Sequence, residues 1–452
     1  MRQRWVFCRC GLALLALVGL FGLSACAVAV DNEPLAPDLF TLPPGTFVHT
    51  ATPEPTPTLT ETPSPEATTP PPAITLADPV GVEALRELWT WEDISRPASA
   101  AVAGDRLAII MADGRFVWVG TQNGRVESSA VLWNELGLGE SSGQIVTDGI
   151  MAVAAAVETR LDEESGATST RTRLVAFNAE AEEMWALPLL DNRQSYHVAL
   201  TPFSVVIGTG PYGFDDDQLV AYDRLRGDPL WDAAVSGRQI NEEGELIDAG
   251  PVGFSRLIHD GSRLFALIND PIGAGAAAFD LRNGERLWHF TLEGLTLPGN
   301  LVLGDQSLYV LTQQRVLAID TLDGSIRWES ALLGASEAGL AWDQGRLYMA
   351  LQPGEAQGFR PGMVSLESEN GQTVWSELDG FLVDPLAVGR EVIWTLARDF
   401  DAGEVYLIGL DLRDGGERVR LLIDGEPDGS YQLLSVGQRV YILGEDLSAY
   451  GY

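Results

Sequence analysis

AAAFDLRNGERLW, running from Ala276 to Trp288, reads as a short apolar strand, a polar turn at Asn283-Gly284 and a second strand ending on Trp288. Alternating apolar and polar positions suit a half-buried strand, and an Asn-Gly or Asp-Gly pair supplies the positive φ angles of a tight hairpin. The stretch recurs. Ala318-Ile319-Asp320 leads through Asp323-Gly324 to Trp328, and Ala221-Tyr222-Asp223 through Arg226-Gly227 to Trp231. Ser365-Leu366-Glu367 leads through Asn370-Gly371 to Trp375. In each copy the Trp follows the acidic residue by eight positions and the Gly follows it by four. Two copies are degenerate: Asn178 reaches Trp185 one residue early and without the Gly, and Asp411 keeps Gly415 but has Val419 in place of Trp. From Trp185 to Trp375 successive copies of the Trp lie 40 to 57 positions apart, a period that marks blades or solenoid units.

The residue two before the acid is small in most copies: Ala176, Ala221, Ala278, Ala318, Ser365 and Gly409. A small residue at one fixed place and a Trp at another predict a docking contact in which the indole covers the vacant spot, removing on the order of 150–250 Å² of aromatic surface from water. The predicted structural docking residues are therefore Ala176 with Trp185, Ala221 with Trp231, Ala278 with Trp288, Ala318 with Trp328, and Trp375 and Trp89. The pattern resembles the tryptophan-docking, PQQ-like repeat of the β-propellers related to quinoprotein dehydrogenases, over most of the chain after about residue 85.

Laid out on that repeat, each unit holds four strands, clearest at residues 299–330. Weaker units cover 98–133, 137–190, 196–235, 246–292, 336–377 and 384–422. The first has no Trp at the docking register. Extra residues between second and third strands (161–170, 210–217 and 354–362) are expected as loops, and loops on one face of a repeat scaffold are where binding usually lives. The stretch from Val440 to Tyr452 matches Leu308 to Asp320 and then stops, while Ala84 to Trp89 matches the turn and last strand of a unit with nothing but linker before it. The expected architecture is all-β: an eight-bladed propeller of four-stranded antiparallel blades, seven being the alternative count. The N-terminal strand completes the last blade, so no sheet edge is left open.

The N-terminal residues are set aside from the fold. Arg2, Arg4 and Arg9 precede an apolar run from Gly11 to Leu23, and Leu23-Ser24-Ala25-Cys26 reads as a bacterial lipobox that would place lipid on Cys26. An uncleaved anchor over residues 11–30 is the alternative; both readings keep the arginines inside and send the rest out. The expected organisation is a signal peptide over 1–26, a disordered Pro/Thr-rich linker over 27–80 and the propeller over 81–452. Cys8, Cys10 and Cys26 are the only cysteines, so the propeller has neither thiol nor disulfide.

The formal charge is −35, and all 29 basic residues are Arg. Such a surface repels phosphate backbones, which argues against nucleic acid. Without lysine there is no Schiff base and no phosphate-binding loop of the Gly-Lys type, and without a thiol no cysteine nucleophile. His49, His197, His259 and His289 show no paired ligand spacing, and His289 directly follows a docking Trp. Asp215-Asp216-Asp217 lacks the alternating spacing of a calcium loop. Arg226-Gly227-Asp228 spells an adhesion tripeptide but falls on the turn register. No cofactor, metal or catalytic residue is therefore expected.

Three readings of function follow. The chain resembles the family of propeller lipoproteins of the outer-membrane β-barrel assembly machinery in lipobox, repeat type and blade number, which implies a non-catalytic protein-binding scaffold tethered to the cell membrane or outer membrane through Cys26, facing away from the cytoplasm. A cell-envelope sensor or polysaccharide-binding propeller is the alternative, with Tyr212, Phe214, Phe359 and Phe400 as loop aromatics. A quinoprotein dehydrogenase is the third; that family stacks its quinone on a vicinal Cys pair and activates it with carboxylate-held Ca²⁺, and the propeller lacks the pair.

Overall fold

The structure, a computed structural model, describes residues 85–451 except 92–94, 134–139, 162–167, 190–194, 211–217, 241–245, 271–272, 294–299, 313–314, 332–334, 352–360, 400–401, 424–425 and 427–428. Cys26, the linker and the loop residues Tyr212, Phe214, Asp215, Asp216, Asp217, Phe359 and Phe400 lie outside the described residues.

Eight four-stranded antiparallel sheets succeed one another, with strands in simple sequence order from the inside outward. Blades 1 to 7 cover residues 97–131, 140–188, 195–233, 253–293, 300–331, 335–377 and 382–423. Blade 8 takes three strands from residues 432–451 and its fourth, Arg86–Trp91, from the other end of the chain, paired antiparallel with Leu447–Gly451. The propeller is eight-bladed and closed as expected. Gly451 pairs with Arg86 where Asp280 of blade 4 hydrogen-bonds Glu285, and the bulge that precedes the docking Trp recurs at Leu88.

There is no single core. Buried side chains form one cluster at each of the eight blade-to-blade interfaces, such as Phe265, Ala278 and Trp288 of blade 4 against Leu301, Leu308, Leu317 and Ile319 of blade 5. Aliphatic and aromatic residues on alternating positions of both sheet faces make this possible, because each blade is covered on two sides. Each interface is thus a layer of apolar area, worth about 25 cal/mol per Å² removed from water.

The repeat has a clear physical basis. In six of the eight blades a third-strand small residue pairs directly with a fourth-strand Trp, as Ala176 does with Trp185, Ala221 with Trp231, Ala278 with Trp288 and Ala318 with Trp328. In blades 4, 5, 6 and 8 an aromatic on the second strand completes the row, so Tyr309 and Trp328 meet across Ala318 at 5.9 Å between ring centroids, and Trp89 meets Tyr441 across Ala449 at 6.0 Å. The indole then covers the turn Gly of the next blade: a Cβ on Gly284 would lie 2.5 Å from Trp231, and one on Gly324 2.7 Å from Trp288. Those glycines also hold φ of +72° and +76°, where a side chain is strained. Finally the indole N–H donates to a turn carbonyl of that blade, Trp185 to Arg224, Trp231 to Leu281 and Trp328 to Ser368, at 2.9–3.0 Å.

The departures follow the same volume rule. In blade 1 the row is Ala108–Trp118–Ser128, so the indole moves to the third strand and donates to Asn178 of blade 2 at 2.9 Å. In blade 7 it is Trp394–Gly409–Val419, and the indole sits on the second strand over Gly409. The Trp absent from both docking registers is present one or two strands inward. Blade 2 lacks the turn Gly, and Ala181 takes the positive φ (59°) in its turn.

Two expectations need correction. The unit starting at 246 begins too early: blade 4 starts at Gly253, and Leu246–Pro251 pairs with Ser236–Ile240 in an extra two-stranded hairpin. Its alternation has the period of a blade strand, and only its partner tells them apart. Residues 161–170 are not a loop throughout, because Ala152–Leu161 and Thr168–Phe177 pair along their whole length as a long arm of blade 2.

Candidate functional site

The strand order divides the connections between two faces. Links from first to second and from third to fourth strand lie at one end of every blade. Links from second to third strand, and from each blade to the next, lie at the other. The first end is uniform: its first-to-second links span two to four residues, and all seven of its third-to-fourth turns span five. Those turns receive the indoles of the neighbouring blade and are occupied with holding the ring together. The turn acid serves there too. Asp280 Oδ1 accepts from Arg282 N at 2.8 Å, Asp320 Oδ1 from Leu322 N at 2.8 Å, and Asp223 Oδ1 from Leu225 N at 3.0 Å. Arg226-Gly227-Asp228 is one such turn, its Gly227 N bound to Asp223 O and its surface capped by Trp185.

The second end is irregular. Its links from second to third strand span two to ten residues, and it carries both the long arm of blade 2 and the hairpin between blades 3 and 4. In the arm Glu158, 2% exposed, accepts from Arg160 at 2.7 Å and from Arg171 at 2.5 Å. Arg171 lies over the Trp133 ring at 4.5 Å. A buried carboxylate is retained only where cations compensate it, so this cluster stiffens the arm.

The inner strands bring one sequence-flagged group, His197, against an arginine that the sequence does not single out. His197 of blade 3 sits against Arg256 of blade 4, and burial followed by the Arg256 charge pushes its pKa down to about 4. At neutral pH His197 is an uncharged donor and acceptor. Arg256 is exposed and occupies φ +54° at a bulge in its strand, a conformation costing about 1–3 kcal/mol in a non-glycine residue. His259 is elsewhere, its ring Nε2 2.9 Å from Leu200 O. His289 lies on the exposed fourth strand of blade 4, opposite Ala277. Arg256 carried no sequence signal, because a positive φ in a non-glycine residue has no sequence mark.

Among the described residues no group of three or more His, Cys, Asp or Glu could hold a metal ion. All three cysteines precede residue 85, so the propeller has no thiol pair, and among the described residues there is no carboxylate cluster of the kind the quinoprotein resemblance implies.

Residues 273–444 match the model of the family described as outer membrane protein assembly factor BamB. No sequence among the curated proteins matches significantly. Among solved structures, BamB from Moraxella catarrhalis superposes with a TM-score of 0.57 at 14% identity, covering 82% of this chain and 100% of that one. The computationally designed Ika8 protein gives 0.56 at 14%, over 81% and 99%. The quinohemoprotein alcohol dehydrogenase ADHIIG from Pseudomonas putida HK5 gives 0.56 at 10%, over 81% and 76%. At such identities the likeness carries the fold and leaves chemistry open. The protein is a β-propeller of PQQ-like repeats, similar to the outer membrane protein assembly factor BamB.

Proposed function

We propose that the protein is a non-catalytic scaffold, tethered by lipid on Cys26 outside the cytoplasm at the outer membrane, that holds a protein partner on its irregular face. The observation that carries this reading is the sidedness of the ring. Blade docking occupies one face with seven five-residue turns, while every long connection, the blade 2 arm and the extra hairpin stand on the other. Similarity to an assembly factor supports a protein partner. The lipobox and the Pro/Thr-rich stretch support attachment at a distance, since two or more acyl chains anchor stably.

Photo-crosslinking in intact envelopes tests the reading. A crosslinker at exposed Ser236 in the hairpin should capture one discrete protein, whereas one at Asn283 on the turn face should not. Equal capture from both faces, or recovery of glycan alone, refutes the scaffold. Separately, Cys26→Ala should abolish fatty-acid labelling, and retained labelling refutes the anchor.

A further inference from the structure

The first-to-second links of the turn face are polar in six blades, holding only Gly, Asp, Ser, Gln, Arg and Glu. Two adjacent blades differ. Blade 2 presents Ile150, 73% exposed, and blade 3 presents Phe203, 69% exposed. Leu225, 62% exposed, joins them from the third-to-fourth turn of blade 3. Polar contacts bring the three tips to one place. Arg224 Nη2 donates to Asp148 Oδ2 at 2.5 Å across the two blades, and Asp148 Oδ1 accepts from Ile150 N at 3.0 Å. Arg224 N donates to Phe203 O at 3.4 Å, and Leu225 is the next residue.

The docking indole of blade 2 is satisfied beside them, by the Arg224 carbonyl at 3.0 Å and by the space over Gly227. Both links are fixed by their own side chains: Met151 N donates to Asp148 Oδ1 at 2.9 Å, and Ser204 N donates to Thr201 Oγ1 at 2.9 Å. An exposed apolar residue on its own is ordinary on a folded protein, whereas several gathered in one patch mark a contact surface. Loops already held in place lose little conformational freedom when a partner arrives. Charge selects the partner. The turns of blades 2 and 3 expose Glu180, Glu182 and Asp228 against Arg226, an excess of two acids, in a chain of formal charge −35. A second copy of this chain or an anionic membrane would meet that field with charge of the same sign, and a basic segment with the opposite.

We infer that this patch docks a basic, amphipathic segment of a partner protein. Its apolar side chains rest on Ile150, Phe203 and Leu225, and its lysines or arginines turn toward Glu180, Glu182 and Asp228. The contact is a second one, beyond the partner proposed for the irregular face, and Asn283 of blade 4 lies outside it. Its test uses a peptide in solution, so failure here leaves the irregular-face reading untouched, and the reverse holds.

The test titrates the full chain with fluorescein-labelled Lys-Leu-Leu-Lys-Lys-Leu-Leu-Lys, and with its analogue carrying Glu for every Lys, by fluorescence anisotropy. The lysine peptide should bind saturably, and the glutamate analogue at least about tenfold more weakly. Phe203→Ser and Ile150→Ser should each weaken binding about tenfold, as loss of an apolar anchor does. Leu322→Ser, at a position 76% exposed on blade 5 of the same face, should leave it unchanged. Melting curves establish that the variants are folded; should Phe203→Ser not fold, Ile150→Ser decides. No saturable binding by the unaltered chain, equal affinity for the two peptides, or the same affinity in all folded variants overturns the proposal. A dimer in sedimentation velocity that Phe203→Ser dissociates would give the patch to a second copy and overturn it too. So would flotation of the Cys26→Ala chain with phosphatidylcholine vesicles that Phe203→Ser prevents, which would give it to lipid.

Discussion

Replacing Trp375 by Phe should destabilise the ring less than replacing Trp185 by Phe, although the two indoles are nearly matched. They are 7% and 8% exposed, stand opposite Ser365 and Ala176, and lie 2.7 and 2.8 Å from a Cβ built on Gly415 and Gly227. Ring contraction therefore costs the two sites similar amounts. They differ in the indole N–H. Trp185 donates to Arg224 O at 3.0 Å, whereas the buried Nε1 of Trp375 has no partner among the described residues. The reason lies in the neighbouring turn: Leu412 O, which occupies the acceptor's place there, already takes Tyr348 Oη at 3.0 Å and Arg346 Nη1 at 3.0 Å. A carbonyl has two lone pairs. Trp185→Phe strands an acceptor at a cost of about 1–3 kcal/mol, while Trp375→Phe removes a donor already stranded. At roughly 2.1 cal/mol/K per residue over a propeller of this size, that gap becomes about 1–4 °C in Tm by scanning calorimetry. A melting point for Trp375→Phe equal to or below that of Trp185→Phe refutes the account.

Acid should weaken the protein in two stages. His197 binds fewer protons folded than unfolded between its folded pKa of about 4 and its ordinary 6.5, so stability falls as pH drops through that window, by up to about 3 kcal/mol. Asp148, Asp260, Asp320 and Asp411 are held below the usual carboxylate value by hydrogen bonds and Arg partners, so their contribution is lost only below about pH 4. Urea titrations from pH 7 to 4 should therefore slope for the unaltered chain and flatten for His197→Gln; parallel curves refute the assignment. Gly284→Ala, forced against Trp231 at positive φ, should cost more than about 2 kcal/mol by the same titration. Val419→Trp should cost about 1–3 kcal/mol by overpacking, because Leu85 packs into the same blade 7–8 cluster where other blades have a turn Gly. Adding Leu85→Gly should recover most of that loss, and additive effects in the double-mutant cycle would show that the two side chains do not exchange volume.

Much of this fold is written locally. The eight-residue step from Asp280 to Trp288, with Gly284 between, specifies a hairpin, its turn and its docking partner within one short stretch, and repetition does the rest. Closure is readable because Trp89 sits in the register of a last strand with no unit before it. What escapes is whatever depends on a partner distant in sequence. Trp118 and Trp394 look like ordinary strand residues until Ser128 and Gly409 are seen beside them. The hairpin of 236–251 shares the alternation of a blade strand, so periodicity assigned half of it to blade 4. Ile150, Phe203 and Leu225 are ordinary loop residues in the sequence, and only the ring places them around one ion pair.

The origin of the last strand also sets a timetable. Of the described strands, Arg86–Trp91 emerges first from the ribosome and Leu447–Gly451 last. At roughly 5–20 residues per second, about 20–70 s of synthesis separate the two halves of a single sheet. Throughout that interval the nascent chain presents two unpaired edges, one on the waiting strand and one on the newest blade, and the ring gains its final interface only when both ends are present. A chain truncated near its end would thus be left with both edges exposed, and edges of this kind template aggregation.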